Sequence, residues 1–394
     1  MHKANNLNKA MASRTDNHDF PCAAIMNIPL MKPYITNEVK EAVCKVLDSG
    51  YLTEGPITEA FEVAVKDYLR CKHVLAVCNC TVGLEMALRA VDIGPGDEVI
   101  VPDYTYPATA SVVAIVGAKI VLVDIDPQNM LIDYDALEKA ITPRTKAVIP
   151  VSLFGNPLDY DRLNIIKKKY NIYVIEDAAC SIGAEYKGIK IGNQADISVF
   201  SLHPRKFITT GEGGLVTTKN TDWAEWMLSY KHFGMGVQES RLTTSFDRIG
   251  TNAKLSNIQA AVGLVQMRHI DKLLEKRRQI ARRYREELTK IRGITYPKTT
   301  ENGSHSYQSC CVLVENRNQV MENMKAQGIQ TQIGTYALHA HRAYNNHQNC
   351  RTSGDMVGSK CAFDRCLTLP LYHEMTGEEQ AYVIHNLKKL MENN

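Results

Sequence analysis

The feature that most constrains this chain is a series of short apolar runs that do not alternate with polar residues. From Lys72 onward they occupy His73–Cys78, Glu98–Val101, Lys119–Val123, Ala147–Leu153, Ile172–Ile175, Ile197–Ser201 and Gly214–Thr217. A strand with one wet face alternates, whereas a run that is apolar throughout is covered by helices on both faces. The stretches between the runs carry helical spacing, as in Leu84, Ala87, Leu88 and Val91, and again over Tyr160–Tyr170. Strands alternating with helices predict an α/β fold, a three-layer sandwich with a mostly parallel central sheet.

After Gln259 the pattern changes. Ile258–Leu288 reads as one long helix or two in sequence. A strand at Tyr307–Glu315, a helix at Gln319–Ala326, a strand near Gly328–Gln332 and a helix at Gly377–Met391 follow. These predict a smaller C-terminal α+β domain. The division expected is a flexible polar extension over 1–26, a large α/β domain over 27–257 and a small domain over 258–394 that begins with the long helix.

Composition removes several classes of function. Lys+Arg 46 against Asp+Glu 43 leaves a net charge of +3, which argues against a nucleic-acid partner. The basic cluster Lys276–Arg285 lies among Glu275, Glu286 and Glu287 and reads as a solvated helix face. No apolar run approaches the roughly 20 residues that span a bilayer, so no membrane partner is expected. The amino terminus lacks the apolar core of a secretory signal, and the eleven cysteines then suggest reduced thiols in the cytoplasm. Cys78-x-Cys80, Cys310-Cys311, Cys361-x₄-Cys366 and His339-x-His341 lack zinc-ligand spacing, and no metal is expected.

Candidate chemistry collects where apolar runs end, the edge at which open α/β sheets bind ligands. Val77-Cys-Asn-Cys-Thr-Val-Gly turns directly from a strand into a helix. The N–H groups of Cys80, Thr81 and Val82 would be unpaired there, either as a phosphate site or as an ordinary capped helix start. Val101-Pro-Asp-Tyr-Thr-Tyr-Pro-Ala-Thr109 brings Tyr104 and Tyr106 to the same edge. Val174-Ile-Glu-Asp delivers Glu176 and Asp177, of which only one can face a given site because successive strand residues point to opposite sides. Finally, Ser198-Val-Phe-Ser-Leu-His-Pro-Arg-Lys206 places one lysine ahead of the turn Gly211-Glu-Gly-Gly214. That turn leads into a strand and lacks the spacing of a dinucleotide fingerprint.

In this order, phosphate cradle, aromatic, carboxylate and lysine make a specific pattern. It resembles the pyridoxal-phosphate enzymes of aspartate-aminotransferase fold, and closely the sugar aminotransferases of the DegT/StrS type. The resemblance runs from about Ile28 to about Lys388. It includes Gly94-Pro-Gly-Asp-Glu-Val-Ile-Val-Pro102, Asp124-Ile-Asp126, Thr142-Pro-Arg-Thr-Lys-Ala-Val-Ile-Pro150, Glu176-Asp-Ala-Ala179 and Gly211-Glu-Gly-Gly214.

The resemblance implies pyridoxal phosphate as cofactor and a role for each matching residue. Lys206 matches the Schiff-base lysine, and Asp177 the carboxylate that pairs with the pyridine nitrogen. Tyr106 matches the aromatic stacked on the ring. Thr81 and Val82, through their backbone, and Ser201, through its hydroxyl, match the phosphate cradle. Asn252 matches an asparagine that reaches the neighbouring subunit's phosphate, which implies a homodimer with shared sites. His339 aligns with a segment beside the sugar.

Three residues depart from the pattern. Cys180 stands where many members carry Gln or His against the ring oxygen. Cys80 replaces the usual Gly of the phosphate turn and must sit at an allowed φ. Lys254 replaces a common Arg, turning a bidentate contact into a point charge.

The implied reaction moves an amino group from glutamate to a keto-sugar, either nucleotide-linked (4-keto-6-deoxy or 3-keto) or an unlinked keto-acid sugar. Lys206 is expected to act as base and acid, with its pKa lowered by burial and by the cationic cofactor. Related lyases of this fold carry His at the lysine position and dehydrate their sugar, and some members are non-catalytic regulators. Lys206 argues against the first alternative, and Lys206, Asp177 and Ser201 together argue against the second.

Overall fold

The computed structural model describes residues 25–236 and 244–392. The extension expected over 1–26 lies outside the described residues except for its last two positions. Two helices, Asn37–Ser49 and Pro56–Leu69, precede the first strand. Thr36 caps the first by accepting the Val39 N–H, and Gly50, at φ 69°, ends it.

Among the described residues, eight strands form the main sheet in the order His73–Val77, Gly214–Thr218, Ile197–Ser201, Tyr173–Asp177, Thr145–Val148, Glu98–Pro102, Lys119–Val123 and Cys350–Ser353. Gly214–Thr218 runs antiparallel to both neighbours, and the remaining pairings are parallel. The sheet is mostly parallel, as the apolar runs predict. Both faces are dry: along Glu98–Pro102, Val99 and Val101 enter one core while Ile100 enters the other. Helices close both sides, completing the α/β three-layer sandwich.

The C-terminal third builds a three-stranded antiparallel sheet from Cys310–Leu313, Cys366–Leu369 and Gln332–Ile333. It does not keep to itself. Cys350–Ser353 supplies the edge strand of the main sheet, beside Lys119–Val123. Tyr336–Ala337 pairs with Tyr104–Thr105. The expected long helix is two, Asn257–Arg268 and Ile270–Leu288. Along the second, Ile270 and Leu273 belong to a core of the main sheet, whereas Ile280, Tyr284 and Leu288 belong to the core of the small sheet. One rigid element therefore spans both cores. Among the described residues no helix is long and apolar enough to cross a membrane, and no cluster of His, Cys, Asp and Glu could hold a metal ion.

Candidate active site

The sheet register lines up the candidate residues. Val77 lies opposite Gly214 and Gly214 opposite Ser201, while Asp177 pairs with Val199. The strands carrying Val77, Asp177 and Ser201 all end at one edge, and the antiparallel strand begins there with Gly214. A Cβ on Gly214 would lie 2.7 Å from both Asn79 C and Cys80 N. Only glycine lets this strand start so close to the helix Cys80–Ala90.

That helix begins at Asn79, whose side chain accepts the Val82 N–H at 2.9 Å. This corrects the expectation that the Cys80, Thr81 and Val82 amides are all unpaired: the Val82 amide is capped by Asn79. Cys80 is helical and so has the allowed φ it requires. Its Sγ lies 3.8 Å from the Val199 carbonyl. Burial, with Asp177 nearby, pushes its thiol well above the usual range.

The two adjacent carboxylates face opposite ways. Glu176 is enclosed by Ser152, Tyr160 and Ser198, all donating to it away from the site. Asp177 is 5% exposed, and its Oδ2 accepts from Thr109 Oγ1 at 2.8 Å while Oδ1 accepts the Ala179 N–H at 3.1 Å. Thr105 Oγ1 lies 2.9 Å from Thr109 Oγ1, so two buried hydroxyls form a relay that fixes the carboxylate. Burial nonetheless raises the Asp177 pKa, against these hydrogen bonds and the Lys206 charge.

Lys206 sits in the loop between Ile197–Ser201 and Gly214–Thr218, its N–H bonded to the His203 carbonyl at 2.8 Å. The loop is pinned by Leu202, whose carbonyl accepts from Thr209 Oγ1 at 2.7 Å and from Thr210 N–H at 3.0 Å. Lys206 Nζ donates to Cys180 Sγ at 3.2 Å. Burial lowers the lysine's pKa, but Cys180, Cys80 and Asp177 outweigh it, and the balance is upward. The expected lowering is thus not a property of the protein alone. Ser201 is buried beside Gly214 and accepts the His203 N–H at 3.4 Å.

The two tyrosines divide. Tyr104 is buried, with its hydroxyl accepting the Thr335 N–H at 3.2 Å, and belongs to the core rather than the site edge. Tyr106 is 65% exposed and lies 6.4 Å from the Tyr336 ring. Asn252 is exposed in the segment laid between Val77–Cys78 and Lys231–His232, and Lys254 Nζ packs 4.9 Å over the Phe233 ring.

Two residue pairs escape sequence reasoning. His339 donates through its N–H to Asp103 Oδ1 at 2.7 Å, and its Nδ1 meets Asp103 Oδ2 at 2.7 Å. Asp103 is fully buried, and burial raises its pKa although His339 opposes the shift. Asp103 follows a strand end, which is the one signal that could have found it. Gln308 accepts the Phe207 N–H at 2.9 Å and donates to the Arg205 carbonyl at 2.7 Å, bracketing Lys206. Arg277 in turn donates to the carbonyls of Tyr307 at 2.8 Å and Gln308 at 2.7 Å.

The model for the DegT/DnrJ/EryC1/StrS aminotransferase family matches residues 33–388. This chain belongs to that family. It is a pyridoxal-phosphate-dependent aminotransferase. It is 35% identical to the GDP-perosamine synthase of Caulobacter vibrioides over 92% of this chain and 98% of that one. Among solved structures, S. venezuelae DesV is 31% identical with a TM-score of 0.87, covering 93% of this chain and 99% of that one. Helicobacter pylori PseC, an aminotransferase involved in the biosynthesis of pseudoaminic acid, is 26% identical with a TM-score of 0.88 over 94% and 100%.

The residues present fit the cofactor. A buried carboxylate, a half-buried amine and a helix start kept open by Gly214 lie at one edge, with Lys206, Asp177 and Cys80 close enough to interact electrostatically.

Proposed function

We propose that this aminotransferase moves the amino group of L-glutamate to a nucleotide-linked keto-sugar, in the cytoplasm, as a homodimer with shared sites. The product would enter amino-sugar, surface-polysaccharide or secondary-metabolite synthesis. The observation that carries the reading is the pairing of a buried, hydroxyl-braced Asp177 with the bracketed Lys206 at the sheet's ligand-binding edge. The GDP-perosamine synthase likeness supports a nucleotide-linked acceptor.

Pyridoxal phosphate, when bound, supplies an aldehyde carbon for the travelling amine and a ring that takes up electrons. Residues 27–257 would hold it. Asp177 would hold the proton on the pyridine nitrogen, and the Thr105–Thr109 relay keeps that carboxylate in place. Thr81, Val82 and Ser201 would hold the phosphate, with Asn79 yielding its cap on Val82. Tyr106 would cover the ring. Asn252 would reach the partner subunit's phosphate, and its exposed side chain supports that role. Lys206 Nζ would take the proton from the donor's α-carbon and return one, a task its ammonium can perform only after losing its own proton. From residues 258–394, Gln308 would hold Lys206 in line and His339 would face the sugar, with Lys254 as a point charge near the donor or acceptor anion.

The test is spectroscopic. Purified protein loaded with pyridoxal phosphate should show the visible absorption of the lysine-held cofactor, and glutamate should abolish it as pyridoxamine phosphate and 2-oxoglutarate form. Nucleotide keto-sugars should then restore it. Absorption that glutamate leaves unchanged would sink the donor assignment.

A further inference from the structure

Cys180 and Lys206 form a contact with chemistry of its own. The sulfur and the nitrogen are 3.2 Å apart, and both side chains are only half-buried, so a small oxidant can reach them. Both backbones are fixed. The Cys180 carbonyl accepts from Ser306 Oγ at 3.2 Å, the neighbouring Ala179 N–H is held by Asp177, and Gln308 brackets Lys206. The flexible part of the pair is the lysine side chain, whose end already rests on the sulfur. Cys80, the second thiol of the site, is engaged with the Val199 carbonyl.

We propose that Cys180 and Lys206 are an oxidation site at which peroxide joins the thiol to the amine and so removes the group that attaches the cofactor. In the first step hydrogen peroxide oxidises the thiol to a sulfenic acid: its O–O bond breaks, sulfur loses two electrons and water leaves. In the second, Lys206 Nζ attacks that sulfur, the S–O bond breaks and an S–N bond forms. A second water departs, and the former ammonium releases its remaining extra proton to solvent. Two equivalents of an added thiol reverse the link, regenerating Cys180 and Lys206 and leaving a disulfide. Nitrogen attacks only after the ammonium has lost a proton, so the second step quickens as pH rises. The functional consequence rests on Lys206 being the cofactor lysine; the link itself does not.

The test uses the full-length, cofactor-free enzyme treated with hydrogen peroxide and digested for mass spectrometry. The expected product joins the Cys180 peptide to Lys206 with the loss of two hydrogens, reverts with dithiothreitol, and forms equally in Cys80→Ser. Cys180 recovered as a sulfinic acid, or in a disulfide with Cys80 while Lys206 stays free, overturns the proposal. Pyridoxal phosphate is then added to the same samples. Loading should fall in proportion to the linked fraction and return on reduction, whereas treated Cys180→Ser should load as fully as its own untreated sample. A linked chain that still loads fully would leave the link standing and overturn the assignment of Lys206.

Discussion

Gln308 brackets Lys206 without touching its side chain: one amide group accepts from the residue after the lysine and donates to the residue before it. A lysine that must shuttle a proton between two fixed carbons needs a stationary base to its stem, and this clamp supplies it from the C-terminal third. Gln308→Ala strands the buried Phe207 N–H, a loss of about 1–3 kcal/mol. The glutamate half-reaction should then slow by roughly tenfold to a hundredfold, while the protein still binds cofactor. Gln308→Glu should recover part of the rate, since it can accept from Phe207 but not donate to Arg205. Single-turnover rates decide it, and an unchanged Gln308→Ala rate would refute the clamp.

Asp177 illustrates function opposing stability. Its folded pKa is raised, so the folded cofactor-free chain binds the proton more tightly than the unfolded chain does. Its contribution to stability therefore worsens as pH climbs through the window above the unfolded value near 3.8. Asp177→Asn should raise the melting temperature of the cofactor-free protein at pH 7 more than at pH 4. It should also abolish turnover. Paired thermal scans test the sign: no gain with pH would show that the carboxylate is comfortably solvated.

Asp103 and His339 should matter to one half-reaction only. His339→Ala is expected to lower kcat/KM for the keto-sugar by roughly tenfold or more, the scale of one lost hydrogen bond to a charged group. The glutamate half-reaction should be unchanged. Asp103→Asn should show the same selectivity more mildly, because the amide oxygen can still accept one hydrogen bond from His339. Separate stopped-flow measurements of the two half-reactions check this, and equal losses in both would remove His339 from the sugar.

Gly214→Ala places a methyl group 2.7 Å from the backbone at Asn79 and Cys80. Neither neighbour is a flexible side-chain tip, so the helix start must shift, at about 1–3 kcal/mol. Cofactor affinity should fall by roughly tenfold or more, as equilibrium loading would show. Retained affinity would mean that the phosphate does not rest on this helix.

The strands and the lysine loop were legible because burial on both faces leaves an unbroken apolar signal, and because a polar residue directly after such a run marks an edge. Asp177 and Ser201 announce themselves in this way, and Lys206 by standing in the loop between such a run and a glycine-rich turn. Gln308, Arg277 and the Thr105–Thr109 relay do not: each acts through partners distant in sequence or through a hydroxyl that reads as an ordinary turn or helix residue. The helix Pro56–Leu69 is legible too, since its buried Phe61, Val65 and Leu69 repeat every fourth residue. The edge strand Cys350–Ser353 carries no apolar run at all. It is held from outside, by backbone pairing and by Arg351 on the buried Glu98. The capped helix start that the sequence allows after Val77 is present, with Asn79 as the residue that accepts the Val82 N–H.

That edge strand has a consequence for how the protein is made. While the chain is being synthesised, Lys119–Val123 emerges long before its partner Cys350–Ser353. Over that interval the nascent sheet presents an apolar strand with an open row of hydrogen-bonding groups, the kind of template that recruits other unfinished chains. A ribosome that stalls before residue 350 would release a protein that holds every residue from Asn79 to Gln308 and still lacks the strand that closes its sheet.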